Sequence, residues 1–243
     1  MGTSETSNLR FNARAQHISE YPTHKPMCYM LIYASDHSLY CAKLRILLRH
    51  KKLSFREAPP PGGGGSSTYL ALVPSGNIPA LVDGNLTLTD SEAIAEYLEE
   101  KYPEIPMLPN TLVGRARSRE RSRFSDTRLE PALRLTFPYV DPEMREAAAI
   151  SIARAQINLR LYGLGIMLQQ LELPRDRLWM GDLGTIVTLE WIALFEGTVV
   201  PKLEWPEAVK IYRSDMLKHP AVAKELATYR SAMLHYMREK GAH

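Results

Sequence analysis

The sequence predicts an α/β region followed by an all-α region. Three observations divide the 243 residues in this way. Residues 28–101 alternate short apolar runs with helical patterns, a stretch with three prolines follows at 102–110, and helical spacing without a convincing strand continues from residue 111. We therefore predict one domain at 27–104 and a second, all-helical domain at 111–243.

Composition narrows the class of protein before any motif is considered. Hydrophobic residues make up 45% and charged residues 23%, and the formal net charge of +3 is too small to indicate nucleic-acid or membrane binding. No apolar run is long enough to span a bilayer, and the N-terminus lacks the apolar core of a signal peptide. The two cysteines, Cys28 and Cys41, form no disulfide framework. These features predict a cytoplasmic protein with a polar, disordered extension at 1–26.

A strand, a helix and a second strand are predicted before residue 60. The apolar run at 28–33 suits a buried strand, a helical pattern begins at Ser38, and alternation at 53–57 indicates the second strand. Because a helix joins the two strands, we expect them to be parallel. In the helix the apolar face carries Leu44, Leu47 and Leu48, and the other faces carry Lys43, Arg45 and Arg49.

A hairpin and a capped helix follow. The apolar run at 80–82, the turn signal Asp83-Gly84 and the alternating run at 86–89 predict two antiparallel strands. Thr89 with Glu92 three residues later reads as a capping box, which predicts that the next helix starts there.

This hairpin and helix bring together groups that suit an amino-acid end. The first amides of the helix beside Ser91 favour a carboxylate, and Asp90 can accept hydrogen bonds from an ammonium group. The backbone corner at Ile78-Pro79 precedes the first hairpin strand, and an X-Pro bond in such a corner is a plausible cis peptide. A ligand with both charges on one carbon would fit this arrangement.

The stretch 73–98 resembles the glutathione-site signature of the cytosolic glutathione transferases. The matching positions are Pro74, Gly76, Ile78, Pro79, Leu81, Asp83, Asp90, Ser91, Ala93, Ile94, Tyr97 and Leu98. The resemblance covers roughly residues 28–236 and is closest to serine-type members of bacterial, zeta or tau character. It implies a thioredoxin-like domain followed by an all-helical transferase domain.

The resemblance also implies how glutathione would bind. The Ile78 backbone would pair with the cysteinyl part, Asp90 and Ser91 would hold the γ-glutamyl end, and Asn77 and Pro79 would complete the corner. Glutathione would be a co-substrate, and we expect no further cofactor and no metal.

Ser38 is the predicted activator of the glutathione thiol. It lies between the first strand and the first helix, where serine-type members carry their catalytic serine, although it could equally act only as a helix cap. Leu39 replaces the proline that often follows. Cys41, in the first turn, is an alternative nucleophile for mixed-disulfide chemistry or else a small buried hydrophobe.

Two features of the second half are more specific. Gly181-Asp182 followed by Thr185 resembles the family's turn before a buried helix, with Thr185 as the cap, but Thr188 stands where the family has aspartate.

The arginines of the first helix of the second domain are spaced around it rather than along one stripe, which argues against a nucleic-acid surface and favours a solvated or dimer-contacting face. They are Arg115, Arg117, Arg119, Arg121, Arg123 and Arg128.

Three functions remain open from the sequence. The leading interpretation is a glutathione transferase with a role in detoxification, in which the thiolate attacks a small apolar electrophile. The alternatives are a glutathione-dependent thiol–disulfide reductase that uses Cys41, and a non-catalytic binding or scaffold protein with the same fold. The family resemblance implies a homodimer, and we expect neither a nucleic-acid nor a membrane partner.

Overall fold

The computed structural model describes residues 30–170 and 173–242. The extension predicted at 1–26 and Cys28 lie outside the described residues. The strands are β1 (Met30–Tyr33), β2 (Phe55–Ala58), β3 (Ala80–Asp83) and β4 (Leu86–Thr89). The helices are α1 (Leu39–His50), α2 (Ser67–Leu72), α3 (Ser91–Lys101), α4 (Leu112–Phe124), α5 (Glu130–Arg134), α6 (Ala147–Met167), α7 (Met180–Phe195), α8 (Glu207–Met216) and α9 (Pro220–Glu239).

The four strands form one mixed sheet in the order β2-β1-β3-β4. β1 and β2 pair in parallel, with Leu31 opposite Arg56, while β1–β3 and β3–β4 are antiparallel. The Asp83-Gly84 turn closes the hairpin, and Gly84 adopts a φ of 61° that suits glycine. This topology confirms the thioredoxin-like prediction for the first part of the chain.

The start of α3 differs from the prediction. Asp90, not Thr89, is the N-cap residue, and its side chain accepts hydrogen bonds from the backbone N–H groups of Glu92 and Ala93. Asp90 has a φ of 73°, a conformation that aspartate tolerates better than most residues. The carboxylate of Glu92 points away from the cap, toward Lys43 and Ser122. The predicted capping box between Thr89 and Glu92 is therefore wrong.

Helix α1 is buried on more faces than its apolar pattern indicates. Lys43 and Arg45 are almost fully buried, although the sequence places them off the leucine face. The reason is that α1 packs against α3 in its own domain and against α7 and α9 in the second. Both cations are held by carboxylates, as buried charges require.

The proline-containing linker is tied to the first domain by buried side chains. The Lys51 ammonium donates to the carbonyls of Tyr102 and Ile105, each at 2.9 Å. A single oxygen of Glu99 accepts from the N–H groups of Met107 and Leu108 at 2.9 and 3.0 Å. These bonds satisfy the backbone groups of a segment that has no regular structure of its own.

The second half is helical, as predicted, but its first helix is not continuous. After α4 the chain widens into one π-helical turn at Ser125–Leu129 before α5 begins. The helical pattern that begins at residue 111 is thus divided into three pieces between Leu112 and Arg134. π-Turns of this kind occur mainly at functional sites, and this one reaches the cavity described below.

The start of the buried helix α7 also corrects the sequence analysis. The helix begins at Met180, so Thr185 lies inside it, and the Thr185 and Thr188 hydroxyls donate to carbonyls four residues earlier. Asp182 supplies a carboxylate of the kind that is missing at position 188, because it accepts the Trp179 N–H at 2.8 Å. The predicted cap at Thr185 is therefore wrong. The carboxylate in the first turn of α7 is that of Asp182.

Asp182 joins three helices of the second domain. Its other oxygen, Oδ1, accepts from Arg121 of α4 at 2.7 Å and from Tyr212 of α8 at 2.8 Å. Burial alone would lower the pKa of the Arg121 guanidinium, but the charge of Asp182 outweighs burial and raises that pKa. The group therefore stays charged in the core.

One hydrophobic cluster runs through both domains. It includes Leu44 and Leu47 of α1, Leu98 of α3 and Trp191 of α7. Across residues 30–170 and 173–242, no helix is both long and apolar enough to cross a membrane.

Candidate glutathione site

A cavity of about 330 Å³ lies where the first domain meets the second. It contains the predicted residues Asn77, Ile78, Asp90 and Ser91, while Pro79 and Ser38 are not among its lining residues. Four parts of the chain form its walls: the corner that precedes β3, the start of α3, the start of α1 and the end of α4. The lining residues are Tyr40, Asn77, Ile78, Asp90, Ser91, Arg123, Asp126 and Thr127.

A hydrogen bond from Tyr69 supports the corner before β3. The Ile78–Pro79 peptide bond is cis, and the hydroxyl of Tyr69 donates to the Asn77 carbonyl at 2.7 Å. Tyr69 belongs to α2, is fully buried and packs its ring edge against Tyr33. The buried Tyr69 thus holds the backbone at 77–78 in place beside the cavity.

The N-terminus of α3 forms the opposite wall. Asp90 uses one oxygen, Oδ1, for both of its capping bonds, at 2.9 and 3.1 Å, and the residue is exposed to the cavity side. Ser91 is the first residue of the helix and is buried. Asp90 already pairs with the N–H groups of Glu92 and Ala93, and the positive end of the helix dipole favours negative charge at this wall.

Ser38 caps α1 beside the cavity. Its hydroxyl oxygen accepts the Cys41 N–H at 3.3 Å, and Tyr40, two residues later, lines the cavity. A serine hydroxyl has one proton and two acceptor positions, so capping leaves the proton available to a ligand. The first turn of α1 carries no acidic residue, and its positive end is therefore not neutralised from within the helix.

Cys41 faces the interior rather than the cavity. Its side chain is 1% exposed and is a free thiol. Burial raises the pKa of this thiol, although hydrogen bonds to Ser38 and to the Ser35 backbone act in the opposite direction. A buried thiol with a raised pKa is a poor nucleophile at neutral pH.

A buried ion network lies beneath the cavity and was not anticipated from the sequence. The Lys43 ammonium donates to Glu92 at 2.7 Å and to Asp126 at 2.6 Å, and the Ser122 hydroxyl donates to the same Glu92 oxygen. Burial alone would lower the pKa of Lys43, but the two carboxylates outweigh it and raise that pKa. The network fastens α1 and α3 to the second domain.

The second domain supplies three of the eight residues that line the cavity. Arg123, Asp126 and Thr127 come from the end of α4 and the π-turn, where a tighter helix would shift each side chain around the axis. Burial, and after it the charge of Glu130, raises the pKa of Tyr40, so its hydroxyl remains protonated. The arginine-rich composition of α4 was the available signal, but it does not say which arginine faces the cavity.

Three other arginines of α4 are held by carboxylates. Arg119 makes a two-pronged contact with Glu96 of α3 at 2.7 and 2.9 Å, and Arg117 pairs with Glu120 on its own helix. Arg121 is committed to Asp182. α4 therefore uses its arginines largely to join elements, in keeping with the spacing argument against a nucleic-acid surface.

A second cavity, of about 620 Å³, lies on the other side of the loop that precedes Ser38. Its floor is charged: Arg45 grips Glu57 with two bonds of 2.7 and 2.8 Å, and Arg49 binds Glu225 of α9 at 2.9 Å. Its rim is aromatic, with the ring of His37 stacked on Tyr236. The lining joins the first domain to the C-terminal helix.

Comparison with known proteins shows which proteins this chain resembles. The family model for the glutathione S-transferase N-terminal domain matches residues 32–106. The crystal structure of a maleylacetoacetate isomerase from Methylobacterium extorquens AM1, with bound malonate and glutathione, is 26% identical and superposes with a TM-score of 0.67 over 80% of this chain and 95% of that one. Residues 32–106 thus match the glutathione S-transferase N-terminal domain, and these similarities support the predicted resemblance to the cytosolic glutathione transferase superfamily.

Several curated proteins are similar to this chain over fewer than half of its residues. Glutathione S-transferase Z1 of Arabidopsis thaliana is 40% identical over 88 residues, which cover 35% of this chain and 40% of that protein. A stringent starvation protein A homolog of Pasteurella multocida is 33% identical over 90 residues, 37% of this chain and 42% of the relative. The chain thus spans about two fifths of the length of these relatives.

The residues predicted for glutathione all fall inside the transferase domain match. The segment 32–106 contains Ser38, the corner at 77–79, and Asp90 with Ser91. The side chains that Arg123, Asp126 and Thr127 add to the cavity lie outside it.

Proposed function

We propose that this protein is a glutathione transferase, that glutathione binds in the 330 Å³ cavity and that Ser38 activates its thiol. The observation that carries the proposal is the meeting of the Asn77–Ile78 backbone with Asp90 and Ser91 in one cavity, next to the capped start of α1. The β3–β4 hairpin brings these groups together, because it pairs Ala80 with Thr89 and so places the corner at 77–79 beside the start of α3.

The charges of the cavity suit the γ-glutamyl end of glutathione. Asp90 uses only Oδ1 in its capping bonds, which leaves Oδ2 for the ammonium group. The start of α3 at Ser91 suits the carboxylate. The rigid corner at Ile78 offers backbone groups to the cysteinyl part, as in the family that the chain resembles.

Thiol activation would come from the start of α1. The thiolate is the reactive form, and a free thiol with a pKa near 8.5 is mostly protonated at neutral pH. The Ser38 proton and the positive end of α1 would both stabilise the anion.

Asp90→Asn is the sharpest test of glutathione binding. Asparagine retains the capping oxygen and tolerates a positive φ, so the helix start should survive while the charge is lost. Removing one partner of a desolvated charge pair costs about 2 kcal/mol or more, which corresponds to a Kd about thirty-fold weaker. Isothermal titration calorimetry with reduced glutathione measures this directly.

Glu100→Gln provides the matched control. It removes one negative charge from the exposed far end of the same helix and should leave the affinity for glutathione unchanged. Equal weakening in both variants, or no weakening in Asp90→Asn, would contradict the assignment of the γ-glutamyl subsite.

A non-catalytic binding protein is the second candidate. Its support is the similarity of part of the chain to a stringent starvation protein A homolog, a name that states no transferase activity, together with Leu39 in place of the proline that often follows Ser38. Glutathione binding without turnover on a panel of electrophiles would favour this candidate. The buried Cys41 gives the reductase alternative less support than either.

We also propose a homodimer and a cytoplasmic location. The location rests on the cysteine usage and composition already described. The dimer rests on the family resemblance and on an exposed apolar stripe on α6, whose four residues follow the 7, 3 and 4 spacing of a helix-pairing seam. They are Ile152, Leu159, Tyr162 and Ile166, each more than half exposed.

Light scattering at micromolar concentration should give twice the mass of one chain. The double variant Leu159→Glu with Tyr162→Glu should give a single-chain mass, because two charges would be buried in the seam. Ile211→Glu, on an exposed position of α8, should remain dimeric. A wild-type protein with the mass of a single chain would refute the proposal.

A further inference from the structure

A buried chain of hydrogen bonds connects the centre of the second domain to the loop before Ser38. The indole N–H of Trp191 donates to the hydroxyl oxygen of Tyr229 at 2.7 Å, and that hydroxyl donates to the backbone carbonyl of His37 at 3.1 Å. Trp191 and Tyr229 are almost completely buried. The chain thus runs from α7 through α9 to the first domain.

The direction of the bonds is fixed by chemistry. An indole N–H can only donate, so Tyr229 must accept there with its oxygen. Its single proton is then directed to the His37 carbonyl. Because Trp191 is buried, loss of the hydroxyl would leave its indole N–H without a partner, and the His37 carbonyl would lose the bond that orients it.

The carbonyl that Tyr229 holds belongs to the peptide unit between His37 and Ser38. A peptide unit is planar, so fixing the orientation of its carbonyl also fixes the direction in which the Ser38 Cα leaves the plane. The position of the Ser38 hydroxyl follows from that direction and from its capping bond to Cys41.

Helix α9 is itself clamped to the first domain one turn earlier. Glu225, four residues before Tyr229 and on the same face, is 3% exposed at its side chain and binds Arg49 at 2.9 Å. The Arg45 guanidinium lies 3.6 Å from its other oxygen. These ion pairs hold α9 against the first domain, and α9 places Tyr229 next to the loop that precedes Ser38.

We propose that Tyr229 is a positioning residue for Ser38 and holds the serine hydroxyl where it can stabilise the thiolate of bound glutathione. This inference rests on the proposed function and names a determinant of it in the C-terminal helix. The 192-residue separation between Tyr229 and His37 means that no local pattern encodes the contact.

Tyr229→Phe tests the inference, with Tyr236→Phe as the matched control on the same helix. The Tyr236 ring, rather than its hydroxyl, contacts His37, with 5.9 Å between centroids and an 18° interplanar angle. We expect Tyr229→Phe to lower the thiolate fraction of bound glutathione at neutral pH about three- to tenfold, the effect of one weakened hydrogen bond. Tyr236→Phe should leave it unchanged, and the Kd for glutathione should change in neither variant.

The readout is the ultraviolet thiolate absorbance of bound glutathione against pH, with wild type and Ser38→Ala titrated in parallel. General destabilisation does not move the thiol pKa of the molecules that remain folded. If Ser38→Ala raises that pKa and Tyr229→Phe does not, or if Tyr236→Phe raises it equally, the inference is overturned while the proposed function stands. If wild type does not lower the thiol pKa of glutathione, both fail.

If Tyr229→Phe does not fold, 3-fluorotyrosine at position 229 carries the test, because it retains the hydroxyl and makes it a stronger donor. A lower thiol pKa than in wild type is the expected result, and an unchanged pKa overturns the inference.

Discussion

Asp182→Ala is expected to lower the free energy of unfolding by about 3–5 kcal/mol. The substitution removes the carboxylate that receives Arg121, Tyr212 and the Trp179 N–H. A buried guanidinium would then have lost its charge partner, and repacking cannot bring water to it without opening three helices. Urea unfolding followed by tryptophan fluorescence measures the loss.

Thr188→Val is the informative comparison, because the sequence pattern singled out position 188 as the place of a missing carboxylate. The Thr188 hydroxyl donates only to the Gly184 carbonyl of its own helix. The near-isosteric change should cost about 1 kcal/mol or less. Similar losses in Asp182→Ala and Thr188→Val would mean that the carboxylate network does not hold the second domain together.

Ser38→Ala should reduce turnover near neutral pH by about ten- to a hundred-fold, with glutathione binding nearly intact. One hydrogen bond to an ionised sulfur is worth about 1.5–3 kcal/mol, so its loss should raise the pKa of the bound thiol by about 1 to 2. The peptide is held elsewhere in the cavity, which is why affinity should change little. Thiolate absorbance against pH and steady-state rates give the two measurements.

Ser66→Ala separates the chemistry of Ser38 from its capping role. Ser66 caps α2 through the Tyr69 N–H at 3.1 Å, as Ser38 caps α1, and either substitution should cost about 1 kcal/mol of stability. Only Ser38→Ala should move the thiol pKa. Cys41→Ala should leave activity largely unchanged, whereas abolished activity would favour the reductase alternative. An unshifted thiol titration in Ser38→Ala would refute the assignment of Ser38.

The family-specific part of the site could be predicted because it is encoded locally. The corner at 77–79, the Asp83-Gly84 turn and the start of α3 at 90–91 each depend on residues within a few positions of one another. The cap at Ser38 is equally local. Even so, the neighbouring Thr89 seemed the better cap, because sequence alone does not give the positive φ that puts the Asp90 carboxylate over the helix start.

By itself the sequence determined the order of strands and helices, the linker and the corner at 77–79, since local turn chemistry and hydrophobic periodicity fix these features. Only the tertiary structure decided which polar residues are buried and what they bind. Lys43 meets Asp126 across 83 positions, Arg121 meets Asp182 across 61, and Tyr229 meets His37 across 192. The physical reason is that a charge or hydroxyl can enter the core only with a partner, and packing of distant helices determines which partner arrives.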